Sequence, residues 1–274
     1  MIKVTCLIDN AVAVGSQLWG EHGLAFVIES PDGRVLFDTG ASGDVLVHNL
    51  DAAGVDPASI SAVALSHGHH DHTGGLAVFL AWRGRLPVYY AHPDLLLERG
   101  SERGGVRKPI GLPAAARTLL QDVDMRLSPE PTEILPGVWT TGEIRSRPEP
   151  EGRGSGHLLH EGEAWRPDPY RDDMSLVLEG AKGLVLLCGC SHAGILNIVL
   201  HVERVFGSAP VAIAGGMHLD AADDTQVRYV VEQLHHFGAP TLYPNHCTGQ
   251  RAYQALAGAF PRVAPCPAAT VIDV

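Results

Sequence analysis

Four separate apolar runs in this chain each lead, within a few residues, into a histidine. Ile60–Leu65 runs into Ser66-His67, and Leu184–Leu187 into Cys188-Gly189-Cys190-Ser191-His192. Val211–Ala214 runs into Gly215-Gly216-Met217-His218, and Thr241–Tyr243 into Pro244-Asn245-His246. Runs of this length and composition are those of buried strands. Segments of helical spacing separate them, and strands alternating with helices imply sheets covered by helices. In such sheets ligands gather outside the carboxyl ends of the strands. One strand ending in histidine is ordinary, but four such endings point to one crevice.

The rest of the chain fits the same class. Val4–Ile8, Leu24–Glu29 and Arg34–Phe37 read as strands, the last two joined by the turn Pro31-Asp32-Gly33. Gly43–Ala53 has helical spacing and stops before Gly54, Gly75–Trp82 starts a helix, and Pro87–Ala91 reads as a strand. Ser175–Glu179 and Gly183–Cys188 form a hairpin. Helices are expected at Ile195–Phe206, Thr225–Phe237 and Gln250–Phe260, a strand at Pro210–Ala214 and a final strand at Ala269–Val274. Glu98–Pro113 and Arg145–Pro169, rich in Gly, Arg and Pro, read as exposed loops of a length that suits functional lids. With 274 residues, 45% of them apolar, the chain fits one α/β domain. Its two halves, about 1–130 and 131–274, share a rough order of strands followed by strand–helix alternation.

A formal net charge of −11 argues against a broad nucleic-acid footprint, which needs a basic face. It leaves room for a small anionic substrate, because bound metal ions can dominate a local field. The five cysteines, Cys6, Cys188, Cys190, Cys247 and Cys266, are odd in number and irregular in spacing, which suits a reduced, cytoplasmic setting. The segment Met1–Asp9 reads as a strand rather than a signal peptide. No apolar run approaches the ~20 residues of a membrane helix. Oligomeric state is not legible, and a homodimer is the default expectation.

The densest signal is Ser66-His67-Gly68-His69-His70-Asp71-His72-Thr73-Gly74-Gly75. On extended backbone, residues two apart point the same way, so His67 and His69 can reach one metal ion. Asp71 and His72 lie past the strand end, where the chain turns into a helix, and can face a second ion. Imidazole and carboxylate suit zinc, iron or manganese. A metal binds the neutral imidazole, which removes the repulsion that protonated neighbours would suffer. His70 points away. Past the second run, Cys190 or His192, or both, can complete the site, while Cys188 sits on the strand itself as a structural residue. A zinc ribbon would need a second cysteine pair, which is absent. His218 and His246 are the further candidates.

The run from His67 to His72 resembles the His-x-His-x-Asp-His motif of the metallo-β-lactamase superfamily. Phe37-Asp38-Thr39-Gly40 resembles its early Asp-Thr-Gly turn. Gly-Cys-Ser-His-Ala-Gly-Ile from Gly189, Gly-Gly-Met-His-Leu from Gly215 and His-Cys-Thr-Gly from His246 look like one branch of it. So do Thr141-Gly142-Glu143-Ile144 and Asp172-Asp173-Met174-Ser175-Leu176. That branch is commonly labelled 7,8-dihydropterin-6-methyl-4-(β-D-ribofuranosyl)-aminobenzene-5′-phosphate synthase-like. The resemblance implies an αββα sandwich of two mixed sheets flanked by helices. It also implies two divalent metal ions, zinc first, with manganese or iron as alternatives. His67 and His69 would hold the first ion, and Asp71, His72 and His246 the second, with Asp38 supporting the ligands from behind. Cys190 falls where many relatives place a bridging aspartate and some lactamases a cysteine, and a thiolate favours zinc. The third histidine of the first ion is His192, or else His157 or His160, which lie where many relatives place it.

The implied activity is hydrolysis of a phosphorylated or ester small molecule by a hydroxide bridging the two ions. Asp71 would orient the nucleophile, and His218 would contact the substrate or its leaving group. The branch label implies an alternative, a synthase acting on a phosphorylated pterin precursor. Arg103–Lys108 and Arg145–Arg153 could then hold the phosphate. A third reading is a non-hydrolytic metal-binding or redox protein built on the same cage.

Overall fold

The structure is a computed structural model that describes residues 1–82 and 88–274. In chain order it begins β1 (Lys3–Ile8), β2 (Ala25–Ser30), β3 (Gly33–Phe37), α1 (Gly43–Ala52), β4 (Ile60–Ala64), the single turn α2 (His70–Thr73) and α3 (Leu76–Trp82). It continues β5 (Val88–Ala91), β6 (Arg99–Arg103), β7 (Val106–Pro109), α4 (Ala114–Leu119), β8 (Met125–Leu127), β9 (Thr132–Leu135), β10 (Val138–Thr140), β11 (His157–Glu161) and β12 (Ala164–Pro167). It closes with β13 (Leu176–Gly180), β14 (Gly183–Cys188), α5 (Ile195–Phe206), β15 (Ala212–Gly216), α6 (Asp224–His236), β16 (Thr241–Asn245), α7 (Gln250–Ala259) and β17 (Val271–Asp273). Of the expected strand Pro87–Ala91, Pro87 lies outside the described residues.

Alternate side chains of the central strands enter different apolar layers, which is why these strands read as continuous hydrophobic runs. Phe26, Ile28, Val35 and Phe37 from one sheet meet Leu176, Leu178, Val185 and Leu187 from the other in a shared central core. The opposite face of the first sheet, with Val27, Leu36, Val63 and Tyr89, packs under Leu46 and Leu50 of α1 and Leu76 and Phe79 of α3. The opposite face of the second, with Val177, Leu186, Ile213 and Leu242, packs under α5, α6 and α7. The order of layers is therefore helices, sheet, sheet, helices. α5 shows how local chemistry fixes such a helix. Its inner stripe of Ile195, Ile198, Val199 and Val202 is buried, and Gly207, at φ 84°, ends it by turning its N–H back to Glu203 O at 3.0 Å.

The first sheet has the order β17-β1-β2-β3-β4-β5-β8, and the second β16-β15-β14-β13-β10-β9. Pairing from β3 through β4 and β5 to β8 is parallel, as is pairing from β14 through β15 to β16. The carboxyl ends of β3 and β4 in one sheet and of β14, β15 and β16 in the other are the ends that carry the chemistry-bearing residues. β17, from the far end of the chain, pairs antiparallel with β1 and completes the first sheet.

Two expectations are corrected. Glu98–Pro113 and Arg145–Pro169 are not wholly open loops, because parts of both form a third sheet of order β12-β11-β6-β7. His157 pairs with Ser101 and Leu158 with Gly100, which joins the two segments across more than fifty residues of sequence. These strands carry Arg, Glu, Lys and His on mostly exposed faces and so lack the apolar alternation that marks a strand. Backbone pairing, together with Arg107 lying 4.5 Å over the Trp165 ring, takes its place.

Candidate metal centre

The turn after β3 and the turn α2 are pressed together by backbone bonds. Thr39 N and Thr39 Oγ1 both donate to His72 O, at 2.8 and 2.9 Å, and Gly74 N donates to Gly40 O at 2.9 Å. This contact fixes where the ends of β3 and β4 sit relative to each other. From there, among the described residues, the structure brings residues of both sheets together in three groups. Ligand-capable atoms of His67, His69 and His192 lie within 4.8 Å of one another, as do those of Asp71, His72, Cys190 and His246. A third group joins Cys190 to His218 and Cys247.

In the first two groups, the outward nitrogen of nearly every ring is engaged by the protein. Ser66 Oγ donates to Asp38 Oδ2 at 2.7 Å, so it can only accept from His67 Nδ1, 2.9 Å away. His72 Nδ1 donates to Asp38 Oδ2 at 2.7 Å. His192 Nδ1 donates to Gly152 O at 2.8 Å, and His246 Nδ1 to Asn10 Oδ1 at 3.1 Å. Each of these four rings therefore turns Nε2 inward. Nε2 of His192 and of His246 are buried without a hydrogen-bond partner among the described residues. His67 Nε2 faces His69 Nδ1 at 3.0 Å, and His72 Nε2 faces Cys190 Sγ at 3.1 Å. Asp71 Oδ2 lies 3.7 Å from His72 Nε2 and 3.4 Å from His246 Nε2. Ring nitrogens converging in a buried pocket fit divalent cations, because outer bonds of this kind are how proteins orient imidazole ligands.

Electrostatics agree with the geometry. Burial holds the pKa values of His67, His69 and His192 well below the ordinary histidine value, so these rings are neutral. For His72 burial works the same way, but the carboxylates of Asp71 and Asp38 outweigh it and push its pKa up to about 9. Burial would raise Asp71, yet His72 and His246 hold it well below the carboxylate range. A cation at this point would answer the same negative charge that holds a proton on His72.

Backbone strain concentrates here too. Asp38, Ser191, His218 and His246 have φ of 60°, 62°, 48° and 50°, and Tyr170, stacked on His192 at 4.2 Å, has φ 49°. Left-handed conformations at non-glycine residues cluster where a site dictates them.

Of the alternatives for the third histidine of the first group, His192 is the one inside it. His157 lies next to it, 5.2 Å ring to ring from His69, with Nδ1 2.8 Å from Tyr170 Oη. His160, three residues along β11, faces the other way and stacks on Trp165 at 4.9 Å. His70 is exposed, and Cys188 is buried on β14. A cleft of about 200 Å³ opens over the centre, with His22, His70, His157 and His218 among its walls. Three participants are invisible in the sequence pattern: Cys247, Tyr170 and the buried Arg99. Arg99 pairs with Asp168 at 2.9 Å and Asp172 at 2.7 Å, and Asp172 accepts Gly68 N at 2.8 Å. Cys247 sits beside His246 in His-Cys-Thr-Gly, and only the adjacency of β14, β15 and β16 reveals its partners.

The Metallo-beta-lactamase superfamily model matches residues 18–202. The 7,8-dihydropterin-6-methyl-4-(beta-D-ribofuranosyl)-aminobenzene-5′-phosphate synthase of Methanocaldococcus jannaschii is 30% identical over 267 residues, covering 92% of this chain and 89% of that protein. Uncharacterized protein MJ0448 of the same organism is 28% identical, covering 93% of each. Among solved structures, Tm1679, described as a metal-dependent hydrolase of the beta-lactamase superfamily, superposes with a TM-score of 0.86 at 27% identity, covering 100% of this chain and 99% of that one. Zn(2+)-bound PqqB from Methylobacterium extorquens shares the fold, with a TM-score of 0.60 at 12% identity, covering 99% of this chain and 100% of that one.

Proposed function

The chain belongs to the metallo-β-lactamase superfamily, and on that premise we propose that it is a metal-dependent hydrolase of small anionic phosphorylated or ester substrates. The direction of the ring nitrogens carries this proposal. His67, His69 and His192 turn lone pairs to one point, and Asp71, His72, Cys190 and His246 turn donors to another. The first set would hold one divalent ion and the second set another, and the thiolate of Cys190 makes zinc the best match. Bound there, such ions lower the pKa of water toward neutrality and polarise a phosphoryl or acyl oxygen. Asp71, an ionised carboxylate at the mouth, would accept a hydrogen bond from the attacking water and orient it while binding the second ion. His218, 4.2 Å ring to ring from His192, would contact the substrate or its leaving group. His157 at the same mouth, its ring fixed by Tyr170, would help seat the substrate.

Similarity to a pterin-phosphate synthase favours a second reading, in which the same residues serve a ring-coupling reaction on a phosphorylated pterin precursor. Elemental analysis before and after chelation, with parallel assays on phosphodiesters, phosphomonoesters, carboxylic esters and pterin phosphates, separates the two. Two equivalents of zinc lost together with esterolysis support the hydrolase. Turnover of pterin phosphates alone supports the synthase. Full hydrolysis by a metal-free protein overturns both.

A further inference from the structure

Between β14 and β16 runs β15, and its last residue, Gly216, has no side chain to keep its neighbours apart. A Cβ there would lie 2.6 Å from Cys247 Sγ and 3.4 Å from Cys190 Cα. The missing atom lets the residue beyond β14 and the residue beyond β16 meet across the strand between them. Cys190 and Cys247 are both free thiols, and Cys247 Sγ donates to Cys190 O at 3.4 Å. Two residues past Gly216, the chain takes the left-handed turn at His218, φ 48°, which delivers that ring to the same two sulfurs. A ring nitrogen of His218 and the two sulfurs lie within 4.8 Å of one another, and Nδ1 is buried without a hydrogen-bond partner among the described residues.

We propose that Cys190, His218 and Cys247 form an additional binding site for one thiophilic cation, such as zinc or cadmium, next to the two ion sites proposed above. Two thiolates and an imidazole neutralise a divalent charge and match the ligand preference of these metals. Three protein donors leave one coordination position open to the cleft. The site rests on the hydrolase reading only through Cys190, whose sulfur serves both sets and would bridge two ions. Filling it takes His218 away from the position where it would meet a leaving group, so surplus zinc should slow turnover.

Full-length protein stripped with a chelator and titrated with cadmium or cobalt tests the site. Bound metal is counted after desalting, and sulfur-to-metal charge-transfer absorption is recorded at each step. Three equivalents are expected, the last adding charge-transfer intensity. Cys247→Ser and, separately, His218→Ala should each stop at two while keeping the far-ultraviolet circular dichroism of the parent. Saturation of the parent at two equivalents overturns the additional site and leaves the pair standing. Retention of the third equivalent by either variant overturns the assignment of that residue's cluster. Uptake lost in Cys247→Ser but intact in a His67→Ala, Asp71→Asn double variant overturns the pair and keeps the additional site. No uptake at all overturns both.

Discussion

His72 Nδ1 stands 2.7 Å from Asp38 Oδ2, and neither side chain exposes any surface. The same carboxylate accepts Ser66 N at 2.7 Å and Ser66 Oγ at 2.7 Å, and Ser66 Oγ receives His67 Nδ1. One aspartate thus orients an imidazole in each donor set, His72 directly and His67 through a hydroxyl. It also ties the end of β3 to the end of β4 across the sheet. Asp38→Asn keeps the shape, and asparagine tolerates the left-handed φ of 60°. With the amide oxygen kept on Ser66 N, however, the amide NH2 replaces Oδ2 and can only donate, so His72 Nδ1 and, through Ser66 Oγ, His67 Nδ1 must accept and turn their protons inward. Metal affinity should fall about 10- to 100-fold for both ions, as such partners typically contribute. Competition with a chromophoric chelator measures it, and a loss confined to one ion would show that Ser66 does not carry the coupling.

Arg99 is the matching device on the other side of the metal loop. It is buried, pairs with Asp168 and Asp172, and through Asp172 reaches Gly68 N, between His67 and His69. The ion pairs fasten the small third sheet to the centre. Arg99→Leu leaves two carboxylates without a counter-charge in a dry interior, which costs about 3–5 kcal/mol. Urea unfolding should show that loss as a lower midpoint with an unchanged slope. Arg99→Lys keeps the charge but not the fork, and should fall in between.

The strands whose ends carry the centre were legible because each is apolar on both faces and is followed at once by His, Cys or Asp. The helices α5, α6 and α7 were legible within a residue or two of their ends, since their apolar stripes repeat at helical spacing. β6, β7, β11 and β12 were not, because nothing in an exposed Arg- and Glu-bearing strand says what it pairs with, and their partners lie far away in sequence. Tyr170 and Arg99 were hidden for a similar reason. Each gains its meaning only from a contact with a residue outside its own segment. Cys247 needed the strand order itself. His157 and His160 could be told apart only once β11 existed, because residues three apart on a strand face opposite ways.

Gly74 and Gly75 follow the metal loop for a steric reason. Gly74 has an ordinary helical φ of −65°, so its conformation does not require glycine. A Cβ on Gly74 would lie 2.0 Å from Ala41 O, and one on Gly75 2.2 Å from Thr39 O. Backbone carbonyls cannot step aside as a side chain can, so Gly75→Ala must pry the β3 turn from the α2 turn. Overpacking of this sort costs about 1–3 kcal/mol. Because His72 O is held by Thr39, the displacement should also lower metal retention on desalting. Normal metal content with reduced stability would confine the role of the contact to folding.

Tyr170 separates orientation from packing at the first donor set. Its ring stacks on His192 at 4.2 Å with an interplanar angle of 13°, while its hydroxyl contacts His157 Nδ1 at 2.8 Å and accepts Gly154 N at 3.0 Å. The backbone is held at φ 49° by Arg147, which donates to Tyr170 O at 2.7 Å, and by Asp168, which accepts Tyr170 N at 2.8 Å. Tyr170→Phe preserves the stack and the backbone clamp and deletes both hydroxyl bonds, at about 1 kcal/mol each. Metal content should stay at the parent level, since His192 keeps its bond to Gly152. His157 loses its anchor at the cleft mouth, so KM should rise several-fold while kcat changes little. Tyr170→Ala, which strips the stacked face from His192, should instead lose metal. A Phe variant that loses metal as readily as the Ala variant would mean that the hydroxyl, not the ring, holds the centre together.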